Sequence, residues 1–205
     1  MKAGRLIVIL GAVVLVWWLT TSSQTQAGIG ETAQDFTLTG NAGGERSLSD
    51  YHGRFVVLEW FNNDCPFVNK HYTSGNMQGL QSTYTEQDVV WLTITSSAPG
   101  NQGHIASPQA ARAIIEQRDS HQTALLLDPS GAVGRLYGAK TTPHMFVIDP
   151  DGLLIYAGAI DDIPSTDPAD VTQATNYVRL ALDAAMAGQP VSTPATTSYG
   201  CSVKY

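Results

Sequence analysis

Two cysteines in 205 residues, Cys65 and Cys201, are too few for a disulfide framework, so the fold must rest on an apolar core. Charge is scarce too, at 14% of the chain, and lysine plus arginine number 11 against 18 aspartates and glutamates. That deficit of cations excludes the basic stripe that nucleic-acid binding needs, and nucleic acid is not an expected partner. No apolar run reaches the roughly 20 residues that span a bilayer. The longest, Leu6 to Leu19, follows the basic Met1-Lys-Ala-Gly-Arg5 and precedes a Thr/Ser/Gln-rich stretch with a small-residue cleavage site at Thr25-Gln26-Ala27. This is a secretory signal pattern, either cleaved or retained as a membrane attachment through residues 6–19. Internal repeats and low-complexity blocks are missing as well, which excludes solenoids and arrays.

What remains is 43% apolar and long enough for one domain with a sizeable core. The expected organisation is a signal segment over residues 1–27, a domain over 28–188 and a tail over 189–205 carrying Cys201. Loss of Lys2 and Arg5 with the signal leaves 9 basic against 18 acidic side chains. Export places the chain in an oxidising compartment, periplasmic or extracellular, where a disulfide persists.

Hydrophobic patterning predicts alternating strands and helices. Asp35-Phe-Thr-Leu-Thr39 and the glycine-rich turn after it form a hairpin-like lead-in. Phe55 to Phe61 and Val89 to Thr95 are buried strands, and Pro66 to about Thr85 is a helix. A second helix spans Pro108 to about Arg118, followed by a strand at Ala124–Leu127 and a short helix from Gly131 to Tyr137. Strands at His144–Ile148 and Leu153–Ala157 flank the hairpin turn Asp149-Pro-Asp-Gly152, and a last helix covers about Pro168 to Met186. This order gives an α/β fold, a mixed sheet with helices on both faces.

Cys65 stands in Glu59-Trp-Phe-Asn-Asn-Asp-Cys65-Pro66-Phe, where a strand hands over to a helix. Unpaired backbone N–H groups and the dipole at a helix start favour a thiolate, the nucleophilic form of cysteine. A reactive thiol fits this polar junction better than an inert buried one. Cys201 sits in Tyr199-Gly-Cys-Ser-Val-Lys-Tyr205. It is either a resolving thiol on a mobile tail or half of a static staple, and the staple alone would stabilise the fold by about 4–5 kcal/mol.

The element order, Cys65-Pro66 at a strand-to-helix junction and Thr141-Thr142-Pro143-His144 before a strand resemble the thioredoxin-like fold, in its redoxin or peroxiredoxin-like (AhpC/TSA-type) branch. The segments Phe67-Val-Asn-Lys-His71 and Tyr156-Ala-Gly-Ala-Ile-Asp-Asp162 and the Cys201 tail resemble a secreted subgroup of it. The resemblance implies a thiol–disulfide oxidoreductase with Cys65 as nucleophile, acting on protein or small-molecule thiols and disulfides, without a cofactor. It carries a proton-shuttling role onto Glu59 and a cis peptide facing the thiol onto Pro143, whose preceding residue, Thr142, would pair with a substrate peptide. Glu59 facing outward and Pro143 in the trans form are the alternatives. Trp60, Phe61, Pro66 and Phe67 would line the groove, or pack in the core.

The sequence departs from the thioredoxin pattern at Val68, where a Cys-x-x-Cys pair would have its second cysteine, leaving Cys201 as the internal candidate. It departs from the peroxiredoxin pattern at Leu58 and Asn62, which replace the proline and the peroxide-orienting Thr or Ser, so thiol peroxidase activity is the second reading. A copper-binding module using Cys65, Cys201 and a histidine such as His71 or His144 is the third, although no closely spaced ligand pair is present. Asp161-Asp162 resemble the family's acidic pair, with turn capping as their only readable role.

Overall fold

The computed structural model describes residues 28–205; the expected signal segment, residues 1–27, lies outside them. In chain order the elements are β1 (Thr37–Gly40), β2 (Glu45–Ser47), β3 (Val56–Trp60), α1 (Pro66–Thr73), α2 (Asn76–Thr85), β4 (Val90–Thr95), α3 (Pro108–Arg118), β5 (Ala124–Leu127), α4 (Ala132–Leu136), β6 (Thr141–Thr142), β7 (His144–Ile148), β8 (Leu154–Gly158), α5 (Tyr177–Met186) and β9 (Cys201–Ser202). Seven strands form one sheet in the order β2-β1-β5-β4-β3-β7-β8, while β6 and β9 form a small separate sheet. β3 runs parallel to β4 and β4 to β5, and β7 lies antiparallel to β3, so the sheet is mixed.

β3 and β4 are buried along their whole length because both faces of the sheet are covered. On one face Val57, Trp91, Met145 and Val147 pack with Val68 and Tyr72 of α1, Leu80 of α2, Ala111 of α3 and Leu182 of α5. On the other, Val56, Leu58, Trp60, Leu92 and Phe146 pack with Val133 of α4 and with Phe36 and Leu48. Helices on both faces of a central mixed sheet is the thioredoxin-like arrangement expected from the sequence. Among the described residues no helix is long and apolar enough to cross a membrane.

Three expectations are corrected. The helix predicted over Pro66–Thr85 breaks at Ser74-Gly75, where Gly75 takes φ +74°. The helix predicted over Pro168–Met186 is a 3-10 turn at Pro168–Thr172 and then α5, capped by the Asn176 side chain accepting from the Arg179 N–H. The tail is docked rather than mobile. Thr196 N–H donates to Ala157 O at 3.1 Å, Val203 N–H to Lys140 O at 3.1 Å, and Ala98 N–H to Lys204 O at 2.8 Å. The Tyr205 hydroxyl reaches Ala139 O at 2.7 Å beneath the Arg135 guanidinium.

A Cβ on Gly75 would meet nothing within 4 Å, so Gly75→Ala isolates the backbone term. Its expected cost is about 1–2 kcal/mol of unfolding free energy, read from urea denaturation.

Candidate active site

The central strand delivers the thiol. After β3 the chain turns through Asn62, whose side-chain oxygen accepts the Asp64 N–H at 2.9 Å and whose carbonyl accepts the Cys65 N–H at 3.1 Å. Arg118 clamps this turn, donating to Asn63 O at 2.7 Å and to its side-chain oxygen at 3.0 Å. Cys65 then occupies the N-cap of α1 in extended conformation, with the exposed Pro66 at the first helical position. Its side chain is fully buried.

Opposite Cys65 lies the Thr142–Pro143 peptide, which is cis. The Cys65 thiol donates to Thr142 O at 3.1 Å. The edge expected to receive a substrate peptide is occupied by the chain's own tail: Thr142 pairs antiparallel with Cys201, and Thr141 with Ser202. Gly200 makes this approach feasible. It has φ +134°, and a Cβ there would lie 2.1 Å from Thr142 O.

The pairing sets the two thiols against each other. Both are free cysteines, and each perturbs the other's titration. Burial works against a Cys65 thiolate, but hydrogen bonds from the Cys201 and Thr142 side chains and from the Val68 and Cys201 backbone hold its pKa below the ordinary thiol value. Cys201 is pushed up to about 11 by burial, by its hydrogen bond to Cys65 and by the Cys65 charge. One thiol is therefore biased toward the thiolate and the other toward the protonated form.

Glu59 faces the same layer as Cys65 and is fully buried, with four neutral donors and, among the described residues, no basic partner. Tyr72 Oη reaches Oε1 at 2.9 Å, while Trp91 Nε1, Thr93 Oγ1 and Gln81 Nε2 reach Oε2 at 2.9, 3.1 and 3.3 Å. Burial raises its pKa against these donors. None of the four was readable beforehand, since each belongs to a segment that patterning marks only as core.

Trp60, expected in the groove, is turned to the opposite face of the sheet, where it packs on Tyr137 and Phe146 and donates to Ser96 Oγ at 3.0 Å. Strand alternation explains this, since Val57, Glu59 and Phe61 share the Cys65 side while Leu58 and Trp60 point away. Phe61 packs edge-on against Tyr72 in the core. Phe67 contacts the tail, its ring 5.9 Å from that of Tyr199. His144 is buried against Phe146, and burial lowers its pKa to about 4. Among the described residues no group of three or more His, Cys, Asp or Glu side chains is placed to hold a metal ion.

The AhpC/TSA family model matches residues 29–157, well over half of the chain. The chain belongs to the AhpC/TSA family. The match ends before α5 and the tail, so Cys201 lies beyond the shared segment. Among curated relatives it is 26% identical over 153 residues to the thiol-disulfide oxidoreductase ResA of Geobacillus kaustophilus, covering 74% of this chain and 82% of that one. A solved uncharacterised conserved protein from Geobacillus kaustophilus is similar over 87% of this chain and 92% of its own, at 27% identity and TM-score 0.71. A putative thiol:disulfide interchange protein DsbE from Chlorobium tepidum is similar over 64% of this chain and 85% of its own, at 25% identity and TM-score 0.52. These relatives share the thioredoxin-like fold.

The asymmetry of the thiols sets the order in which they titrate. Alkylation of the reduced protein across pH, read site by site by mass spectrometry, is expected to show Cys65 gaining reactivity at lower pH than Cys201; the reverse order contradicts the hydrogen-bond direction. Glu59 sets a second dependence. A raised folded pKa means the native chain holds the proton more tightly, so this stabilisation is full below the ordinary glutamate value and is lost as pH rises through the folded one. The urea midpoint of the wild type relative to Glu59→Gln is expected to fall as pH rises above about 4.

Proposed function

We propose that the chain is an exported thiol–disulfide oxidoreductase, with Cys65 as nucleophile and Cys201 as resolving thiol. The observation that carries this reading is the pairing of Cys201 with Thr142, whose carbonyl accepts from the Cys65 thiol at the start of α1, with the two thiols biased in opposite directions. Its similarity to the thiol-disulfide oxidoreductase ResA and to the putative thiol:disulfide interchange protein DsbE supports it. The N-terminal basic-then-apolar pattern supports a periplasmic or secreted location, with attachment through residues 6–19 if the segment is retained.

The chemistry follows from the positions. Cys65 is covered by β9, so an external disulfide reaches it when the strand leaves Thr142. The Cys65 thiolate attacks one substrate sulfur, forming a mixed disulfide and releasing the other sulfur as a thiolate. When β9 returns, Cys201 loses its proton and attacks the Cys65 sulfur. The Cys65–substrate bond breaks, the substrate leaves as a thiol with that proton, and the Cys65–Cys201 disulfide remains. Run backwards, the same steps oxidise a dithiol. Glu59, the protonatable carboxyl of the buried layer behind Cys65, is the proton carrier for the partner cysteine in this reading. Thr142 and Pro143 shape the edge that an extended peptide shares with the tail, and Pro66 and Phe67 border it.

Peroxide reduction has less support, because the Asn62 side chain is committed to the Asp64 N–H and to Gln102 O at 3.3 Å, and it brings no hydroxyl to orient a peroxide.

Two variants test the assignment. Cys65→Ser is expected to abolish disulfide exchange with peptide and protein substrates. Cys201→Ser is expected to retain the first attack and accumulate a Cys65 mixed disulfide, visible as an added mass. Exchange that survives in Cys65→Ser at the wild-type rate overturns the proposal.

A further inference from the structure

Three sequence segments far apart in the chain meet at one buried carboxylate. Asp161, 2% exposed, follows β8, and its Oδ2 accepts from Lys70 Nζ at 3.2 Å. Lys70 is 1% exposed on α1 and donates also to Ile163 O at 2.6 Å. The other oxygen, Oδ1, accepts the Ile163 N–H at 3.1 Å and the hydroxyl of Tyr199. His71 completes the cluster: its Nδ1 faces Asn76 Nδ2 at 2.9 Å and its Nε2 faces the Tyr199 hydroxyl at 3.3 Å. With the Asn76 amide donating to Nδ1, the ring proton sits on Nε2. His71 then donates to the Tyr199 oxygen, and Tyr199 donates to Asp161.

A buried ion pair is a poor device for stability alone, since apolar side chains of the same volume serve as well or better. This pair does what apolar side chains cannot, because it fixes a phenol hydroxyl at one point. The ring of Tyr199 is held as well, between Phe67 at 5.9 Å and Lys70 Nζ at 5.6 Å from its centroid. Two residues on, Cys201 lies on β9. Between them Gly200 is pressed against Thr142 O. The path from anchor to thiol is thus pinned at both ends over two residues, about 7 Å of extended chain.

We propose that Tyr199 is a positioning residue for the resolving thiol: held by Asp161, Lys70 and His71, it sets the strand that brings Cys201 onto Cys65. The inference rests on the reading of Cys201 as the resolving thiol. Its effect falls on the second exchange step, in which the Cys201 sulfur bonds to Cys65, the Cys65–substrate bond breaks and the substrate departs as a thiol. The first attack, by Cys65 on the substrate, takes place with β9 off Thr142, so a weaker anchor does not slow it.

Tyr199→Phe removes the hydroxyl and keeps the ring. Asp161 retains Lys70 and the Ile163 N–H, so no bare buried charge is created. The full chain is equilibrated in dithiol buffers and the Cys65–Cys201 disulfide quantified by alkylation and mass spectrometry. The closure constant is expected to fall about tenfold, raising the reduction potential by about 30 mV, and release of a Cys65 mixed disulfide is expected to slow in step. Attack by Cys65 on a disulfide peptide is expected not to slow, since a loosened β9 uncovers Cys65 more often, and the urea midpoint of the reduced protein is expected to hold. Gly200→Ala, which drives a methyl into Thr142 O, is expected to weaken closure at least as much while leaving the Asp161 cluster intact. A closure constant in Tyr199→Phe equal to that of the wild type overturns the proposal, as does a fall matched by equal loss of reduced-state stability. If Cys65→Ser leaves exchange intact, the functional reading itself fails; if Cys65→Ser abolishes exchange and Tyr199→Phe closes normally, only the role of Tyr199 fails.

Discussion

The short antiparallel pairing of Cys201–Ser202 with Thr141–Thr142 is the contact on which the site depends. Without it Cys65 is a lone thiol at a helix start and Cys201 a lone thiol near the end of the chain. With it, Cys201 is set beside Cys65, one thiol is biased toward thiolate and the other away from it, and Cys65 is buried. A two-residue strand has little stability of its own. Its position is therefore decided elsewhere: by the Tyr199 anchor, by Gly200 against Thr142 O, and by Tyr205 under Arg135.

The interior of the domain holds charge in two different ways. Glu59 is surrounded by four neutral donors and no cation, so its burial is relieved most cheaply by taking up a proton. Asp161 has a cation in contact and a phenol beside it, so its charge is met by charge. The first arrangement suits a group that gains and loses a proton, and the second suits a fixed point. Both lie on the α1 side of the sheet, and α1 serves both, through Tyr72 for Glu59 and through Lys70 and His71 for Asp161.

Much of the sheet was legible because its strands are unbroken apolar runs, and the limits of α3, β5 and β7 follow from their flanking Ser-Pro, Thr and Pro residues. The Cys65 junction was legible for the same reason, since a polar Asn-Asn-Asp turn and a proline bracket the thiol. The break at Gly75 was not, because one glycine inside helical spacing is tolerated as often as it ends a helix. The side taken by Trp60 was hidden by a strand buried on both faces, where alternation leaves no polar mark except Glu59 itself. Least legible was Lys70. A lysine in a helical pattern reads as solvated, and nothing nearby in sequence names Asp161 as its partner; the only hint was that both lie in segments shared with one subgroup. The docking of the tail depends on contacts far apart in the chain, so Gly/Ser flanks that read as mobility turn out to be close packing.

On the proposed reading, a docked strand of this kind also acts as a filter on partners. While β9 lies on Thr142, any incoming peptide competes with a segment tethered two residues from its anchor, at an effective concentration of order millimolar or higher. The apparent affinity of the partner is scaled down by the fraction of time the edge stands open, so an edge open about one part in a hundred weakens every encounter about a hundredfold. Brief, unspecific contacts are the first to be lost. A thiol that answers only to partners able to outlast its own tail trades speed for selectivity.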